Sequence, residues 1–508
     1  MNCRKTTCAV SLIFLLLAVS TAIAIQPPKD DSSKFASRKQ IQTKARSVTS
    51  IAPSPVRSAA STRTVTGHRI GHYKDGPVPL DLSIRTVAAY IPTGGTYSEI
   101  DGVGNSDGTF SISGVPKGFY LLRLGGQYLW TSNTKVNADY FSGSRSTATP
   151  PVNETTLTLS FANLNPWQET DFFELSDPRA SAFALFTTAD GAAAMTGTFP
   201  YTSNLNDSTQ GDKTYIQQLI TQSVGGFAFA ATGRYFKPRD FVQSDGGDTA
   251  LSGTLETVVQ DRTFRANIRG ADLAALAVAV NPRAVLTDTS VALDPYQGSL
   301  AKGFITASPD LVAYSLGTGE TPMLTVNQDF GDVPYGNPFP KNWPLFSVYQ
   351  YLTETNYLLP GTTNPVSILC YLNGNTTILP SESNPIAALI GPVTNPTVGG
   401  FNFFANETGM GLTPVVAWTP PSAGTAHLYG VYVYELDSDG DNTVYTQIAR
   451  LLTQNMSITI PPGLLNPGVA YVFLIRAWYR PGVDIPHTPY ALGPIGANAD
   501  VLSGLMYP

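Results

Sequence analysis

The side chains best suited to proton transfer, nucleophilic attack or metal binding are scarce in this chain. It has four histidines in 508 residues. His68 and His72 are four residues apart, but the glycines around them favour a strand or a loop. In a strand, positions four apart lie about 13 Å from each other, which is too far for one metal ion. The sequence therefore disfavours a histidine metal site, and we expect His427 and His487 to lie in exposed loops.

The serine motifs do not predict catalysis. Ser132–Lys135 and Ser299–Lys302 both have the form S-x-x-K, but the Lys-Thr-Gly strand that penicillin-recognising enzymes also need is absent. Gly104–Gly108 fits G-x-S-x-G, yet it leads into a strand, whereas a nucleophile elbow leads into a helix. No catalytic residue is predicted. Carboxylate pairs can come from distant strands, so a hydrolase in the central region stays an alternative.

Three aspartates, Asp437, Asp439 and Asp441, stand at alternate positions, as in the first half of a calcium loop. The sixth and twelfth positions are Asn442 and Ile448, where an EF-hand has glycine and glutamate, so an EF-hand is excluded. The segment lies between two strand-like runs, which favours a polar hairpin turn. Weak calcium binding by these three carboxylates stays an alternative, and no other cofactor is expected.

The segment Phe330–Pro344 is the candidate for recognition. It carries four prolines and is predicted to be the longest irregular loop of the central region. Its aromatic rings and polar groups would suit a sugar or a peptide strand. We favour the alternative in which the rings fold back and seal the edge of the domain. The candidate ligand-binding residues are Asp332, Tyr335, Asn337, Phe339 and Trp343.

The N-terminus predicts export. Arg4 and Lys5 precede an apolar run and the small-residue pattern Ala22-Ile23-Ala24, so residues 1–24 are interpreted as a signal peptide. No run reaches the roughly 20 apolar residues of a spanning helix, and we expect a secreted or cell-surface protein of a bacterial envelope. Cleavage leaves only Cys370, which excludes an internal disulfide. Cys370 is predicted to be a buried strand residue.

Charge is sparse and unevenly placed. Charged residues make up 13% of the chain, about half the usual ~25%. Residues 25–63 hold eight lysines or arginines and two aspartates, and we interpret them as a disordered, basic, serine-rich linker. The rest of the chain is correspondingly acidic, which makes nucleic acid an improbable partner.

From residue 64 onward, short alternating runs are separated by Gly, Pro, Asn and Asp. This pattern predicts an all-β, multi-domain array of immunoglobulin-like β-sandwiches. Predicted domains cover 64–148, 149–390 and 391–508. One short helix is expected near 271–280, where an alanine-rich run ends at Asn-Pro.

Two segments resemble known families. Asp107–Leu122 has the pattern D-G-x-F-x-I-x-G-V-P-x-G-x-Y and resembles the carboxypeptidase regulatory-like domain, which implies a small accessory β-sandwich without peptidase chemistry. The last segment is similar to a fibronectin type III domain, with Trp418 as core tryptophan and Tyr471 as corner tyrosine. The central region resembles no family that we recognise.

The sequence thus favours a non-catalytic modular protein that binds or spaces extracellular components. A glycan and an extracellular protein are the candidate partners. Two alternatives remain open, a carbohydrate-binding protein that uses the aromatic loop and a hydrolase in the central region. Fold resemblance is weak evidence for function, so the site itself must decide among them.

Overall fold

A computed structural model describes residues 61–297, 307–314, 323–493 and 495–508. The predicted signal peptide and nearly all of the predicted linker lie outside the described residues. Ser299–Lys302 also lies outside them. Within the described ranges, no helix has the length and apolarity that crossing a membrane requires.

The chain is all-β, as its alternating runs predicted. Strands account for 53% of the structure and helix for 3%. The predicted helix near 271–280 is α1 (Gly270–Val278), which buries Leu273 and Ala277. Cys370 is a free cysteine inside a strand and is 1% exposed, which confirms its prediction as a buried apolar residue.

Strands of the first region, residues 61–148, are short. They are β1 (Thr62–His68), β2 (Ile70–Tyr73), β3 (Gly76–Pro79), β4 (Val87–Thr93), β5 (Thr96–Asp101), β6 (Val103–Gly104), β7 (Thr109–Pro116), β8 (Tyr120–Leu124), β9 (Gln127–Thr131), β10 (Lys135–Asn137) and β11 (Tyr140–Phe141). Within the segment that resembles the carboxypeptidase regulatory-like domain, β7 ends at Pro116 and β8 begins at Tyr120.

Strands of the central region include one of 13 residues. They are β12 (Thr156–Ala162), β13 (Phe172–Asp177), β14 (Ala182–Phe186), β15 (Ala194–Pro200), β16 (Tyr215–Val224), β17 (Phe227–Phe236), β18 (Asp248–Thr254), β19 (Glu256–Thr257), β20 (Arg262–Arg269), β21 (Val285–Pro295), β22 (Val312–Tyr314), β23 (Asn327–Tyr335), β24 (Leu345–Tyr357) and β25 (Val366–Thr376). A 3-10 turn covers Ser208–Gln210.

Strands of the last region complete the fold. They are β26 (Thr394–Val398), β27 (Phe401–Asn402), β28 (Glu407–Thr408), β29 (Val415–Thr419), β30 (Leu428–Asp439), β31 (Asn442–Thr453), β32 (Ser457–Thr459), β33 (Ala470–Tyr479), β34 (Gly496–Leu502) and β35 (Met506–Tyr507).

Hydrogen bonding continues across the predicted domain borders. One sheet of 19 strands contains strands from all three regions. Strand β9 pairs in parallel with β31, with Gln127 opposite Arg450. Strand β25 pairs with β34, with Leu372 opposite Ala499. The borders at 148 and 390 stay predictions, and backbone bonds connect the regions on either side of them.

The apolar core also spans the regions. One cluster of buried residues includes Tyr90 from the first region, Phe229 from the centre and Tyr471 from the last region. A second cluster joins Phe110 to Cys370. Because burial of apolar area is the main stabilising force, folding of each region is coupled to that of its neighbours.

The prediction that Phe330–Pro344 lacks regular structure is wrong for its first part. Strand β23 ends at Tyr335 and pairs with β20, with Thr263 opposite Pro334. Among the described strands, β23 has only this partner in a two-stranded sheet. Proline is tolerated on such an edge because its missing N–H faces away from the pair.

Tyr471 occupies the place expected of a corner tyrosine. Its ring is buried, and its hydroxyl accepts a hydrogen bond from the Asn466 N–H at 2.9 Å. The same hydroxyl lies 3.2 Å from Glu435 Oε2. Because Asn466 lies five residues before Tyr471, the bond fixes the turn that precedes β33.

Removing that hydroxyl should weaken the last region without unfolding it. Tyr471→Phe keeps the ring and leaves the Asn466 N–H without its partner, so we expect a loss of about 1 kcal/mol in the free energy of unfolding. Urea denaturation would measure it. Tyr507→Phe is the control, since Tyr507 lies in the terminal strand β35 and is only half-buried. Equal stability of the two variants would contradict the assigned role.

Candidate functional site

The three predicted ligand-binding rings face the protein interior. Tyr335, Phe339 and Trp343 are 2%, 4% and 9% exposed. Phe339 stacks on Trp343 with centroids 5.7 Å apart, and Tyr215 meets both rings edge-on. The rings belong to the main apolar cluster. Ligand binding by this segment stays a prediction, and a ligand could reach these faces only after the rings left the core.

The two polar members of the predicted set already have protein partners. Arg265 Nη1 lies 3.3 Å from Asp332 Oδ1, and its Nη2 lies 2.6 Å from Asp329 and 2.8 Å from Glu382. Asn337 Oδ1 accepts the N–H of Phe339 at 2.9 Å. These contacts hold β23 and the segment that follows it, so each polar side chain of the predicted set has a protein partner.

The aspartates of the predicted calcium segment form a hairpin. Strand β30 ends at Asp439, β31 begins at Asn442, and Gly440 makes the turn at φ +59°. Asp437 Oδ1 accepts the N–H of Ser438 at 2.7 Å. In the part of the chain that the structure describes, no three His, Cys, Asp or Glu side chains converge as a metal site. Calcium binding by Asp437, Asp439 and Asp441 therefore stays a prediction without a preformed ligand cluster.

His68 and His72 meet through a third residue. Asp139 Oδ1 lies 2.8 Å from His68 Nδ1, and Asp139 Oδ2 lies 2.7 Å from His72 Nε2. The N–H of Ile70 also donates to Asp139 Oδ1 at 2.8 Å. The carboxylate is nearly buried, and each oxygen serves a different ring. The arrangement ties β1 and β2 to the Asp139 segment, a structural role that the sequence did not predict.

A buried set of carboxyl groups lies in the central region. Glu174 on β13 is 0% exposed and Asp310, just before β22, is 3% exposed. Asp294 is on β21. We call these three residues the carboxyl cluster. Gln217 Nε2 donates to Glu174 Oε2 at 3.0 Å and to the Asp310 carbonyl at 2.6 Å, which links the strands that carry the cluster.

Burial governs the protonation of the carboxyl cluster. Desolvation raises the pKa of Asp310 to about 6. Desolvation and then the nearby Asp310 hold the pKa values of Glu174 and Asp294 well above their usual range. A hydrogen bond between Asp294 and Asp310 raises the pKa of Asp294 and lowers that of Asp310, so protonated Asp294 is the donor.

Such a cluster can hold and exchange protons near neutral pH. Carboxyl groups with raised pKa values are candidates for general acid–base chemistry. Two buried oxygens, Glu174 Oε1 and Asp294 Oδ1, have no hydrogen-bond partner among the described residues. The sequence carried a signal for this cluster that we did not use, since Glu174 interrupts the apolar run Phe172–Leu175 and Asp294 follows Val291–Leu293.

Comparison with known proteins gives no family. No family model matches the chain, and no curated protein matches it. Among solved structures, the FN1–FN3 domains of chicken CNTN1 are 10% identical, with 66% of this chain and 89% of that chain covered and a TM-score of 0.12.

Two structures of Salmonella alpha-2-macroglobulin, a mutant and a methylamine-reacted form, are also similar at 10% identity. Each alignment covers 88% of this chain and 29% of that one, with TM-scores of 0.10 and 0.12. Likenesses at these TM-scores carry no argument about this chain, so its fold is assigned from its own sheets.

Proposed function

We propose that the chain is a non-catalytic modular β protein, exported to the cell surface or the medium, that spaces or binds other extracellular components. The observation that supports spacing is the hydrogen-bonded sheet that runs through all three regions. Flexible linkers would let neighbouring domains reorient, whereas backbone pairing fixes them. Glycans and extracellular proteins are the partner classes that this proposal retains.

Distances between spin labels test the rigid arrangement. Cysteines would replace exposed valines at Val103 and Val242 and exposed Met456, which lie in the three regions. Buried Cys370 should stay unlabelled. Each labelled pair should give one narrow distance distribution. Broad distributions between regions would overturn the rigid spacer.

Export has its own test. The mature chain recovered from the medium or the cell envelope should begin at Ile25, because the small-residue pattern ends at Ala24. N-terminal sequencing of the natural product checks this prediction. Retention of the uncut chain inside the cell would contradict export and leave the rigidity test unaffected.

The carboxyl cluster favours a second candidate, an acid–base hydrolase in the central region. Its groups have the raised pKa values that general acids need. The full chain would be assayed against glycoside and ester substrates, with Asp310→Asn as the test variant and exposed Asp107→Asn as the control. Activity lost only in Asp310→Asn would support this candidate. The absence of turnover, or equal turnover in all three proteins, would reject it.

A further inference from the structure

Three buried arginines meet where the first and last regions join. Arg450 lies on β31 at the point where it pairs with Gln127 of β9. It is 1% exposed, and Arg480 and Arg69 are 2% and 5% exposed. We call Arg69, Arg450 and Arg480 the arginine cluster. Their burial is unusual, because arginine is almost never fully buried unless it is paired.

Aromatic rings surround the arginine cluster. Arg450 Cζ lies 5.1 Å from the ring centroid of Trp478 and 5.7 Å from that of Tyr490. Arg480 Cζ lies 4.6 Å from the same Trp478 centroid. Cation–π attraction of this kind contributes about 1–2 kcal/mol, less than the several kcal/mol that removing each guanidinium from water costs.

Among the described residues, no carboxylate forms an ion pair with the arginine cluster. The nearby buried Arg476 has one, since its Nε lies 2.6 Å from Asp500 Oδ1. No ion pair within the described ranges includes a member of the cluster. Unlike Arg476, the three guanidinium groups of the arginine cluster are buried without an ion-pair partner among the residues that the structure describes.

Several buried donors of this site also lack acceptors in the part of the chain that the structure describes. They are Nε and Nη2 of Arg450, Nη2 of Arg480 and Nε of Arg69. The side-chain amide of Gln127, opposite Arg450, is 3% exposed and has no partner for its nitrogen or its oxygen. A buried donor without an acceptor costs about 1–3 kcal/mol, so these groups together favour an acceptor that the described residues do not supply.

Mutual repulsion adds to the cost of burial. Desolvation, then Arg450, lowers the pKa of Arg480 to about 9, and desolvation lowers that of Arg69. The Arg480 guanidinium therefore remains protonated at neutral pH. An anion at the site would relieve both the desolvation and the repulsion.

We propose that the arginine cluster, with Gln127, binds one small tetrahedral oxyanion of the phosphate or sulfate class at the junction of the first and last regions. Guanidinium groups donate paired N–H bonds to such oxygens, and the amide of Gln127 would supply a further donor. The segment 480–493 forms turns only, and its Pro489 and Ala491 carbonyls accept from Arg480 Nη1 at 3.2 and 3.0 Å. This segment carries Tyr490 next to the cluster and is the part that would move to admit the ion.

Thermal unfolding with inorganic phosphate or sulfate tests the proposal. The wild-type chain would be melted in rising concentrations of each anion against chloride at equal ionic strength. A bound anion should give a saturable rise in Tm of about 2–4 °C. Both anions also stabilise proteins weakly by exclusion from the surface, but that effect does not saturate. Isothermal titration should give one site per chain.

Variants separate the site from general salt effects. Arg450→Met should abolish the saturable rise, and Arg283→Met should keep it, because Arg283 is exposed and lies 5.2 Å from the Tyr357 ring. If Arg450→Met does not fold, Arg480→Lys replaces it as the test variant. Lysine keeps the charge but loses the planar fork, so the Kd of this variant for phosphate or sulfate should rise about tenfold or more. The proposal would be overturned by a rise in Tm that does not saturate or that chloride reproduces. It would also be overturned by a saturable rise that is unchanged in the folded variants of the arginine cluster.

Discussion

Replacing Asp500 with asparagine should lower the free energy of unfolding by about 3–5 kcal/mol. Asp500 accepts two bonds from Arg476, from Nε at 2.6 Å and Nη2 at 2.7 Å, and a third from the N–H of Tyr371 at 3.0 Å. Burial by itself lowers the pKa of Arg476, but Asp500, with smaller contributions from Tyr432 and Tyr434, acts against it, and the net pKa is raised. Asp500→Asn would remove the negative charge and leave buried Arg476 unpaired.

Urea denaturation of wild type and Asp500→Asn measures this loss. Asp484→Asn is the control, because Asp484 pairs with His487 on the surface, with the two side chains 63% and 68% exposed. Exposed pairs contribute roughly 0–1 kcal/mol. The double variant Asp500→Asn with Arg476→Met should recover part of the loss, since it removes both charges. A single variant within about 1 kcal/mol of wild type would refute the role assigned to the pair.

The position of Asp500 also bears on the proposed spacer. It lies on β34, Arg476 on β33 and Tyr371 on β25, so the carboxylate connects the central and last regions at their shared sheet. In the spin-label experiment, Asp500→Asn should broaden the distribution of distances between labels at Val242 and Met456. The distance between Val103 and Met456 should change less, because that seam is formed by β9 and β31.

Local patterns in the sequence predicted local structure well. Alternation over Thr156–Phe161 became β12, and the alanine-rich run before Asn281-Pro282 became α1. Both signals depend on neighbours in the chain, since strand and helix periods are set by the side chains of a few consecutive residues. Cys370 was predicted for the same reason, because it stands within a continuous apolar run.

Contacts between distant segments could not be predicted. Nothing in the sequence near Gln127 or Arg450 indicates that they lie side by side, 323 positions apart in the numbering. The aromatic residues after β23 illustrate the same limit. Their types suit a sugar or a core equally, and only distant residues such as Tyr215 and Tyr235 decide that Phe339 and Trp343 pack inside.

The carboxyl cluster should make stability fall as pH rises. Unfolded carboxyls lose their protons near pH 4, whereas Asp310 keeps its proton to about pH 6. Burial also raises the pKa values of Glu174 and Asp294 well above their usual range. Above pH 4 the unfolded chain therefore binds fewer protons than the folded chain, so the free energy of unfolding decreases with pH. The shift of Asp310 alone, from 3.8 to about 6, corresponds to about 3 kcal/mol at 1.36 kcal/mol per pKa unit.

Asp294→Asn isolates this effect from the other titrating groups. Asparagine can donate to Asp310 as the protonated acid does, and it needs no proton, so the variant should exceed wild type by about 1–3 kcal/mol at pH 7.5 and match it near pH 4. Asp107→Asn is the control, and its difference in stability from wild type should change with pH in the opposite direction. Hydrogen bonds from Thr109 lower the pKa of exposed Asp107. Urea denaturation at both pH values measures each variant. A difference between Asp294→Asn and wild type that is equal at pH 4 and pH 7.5 would show that the cluster does not carry the protons assigned to it.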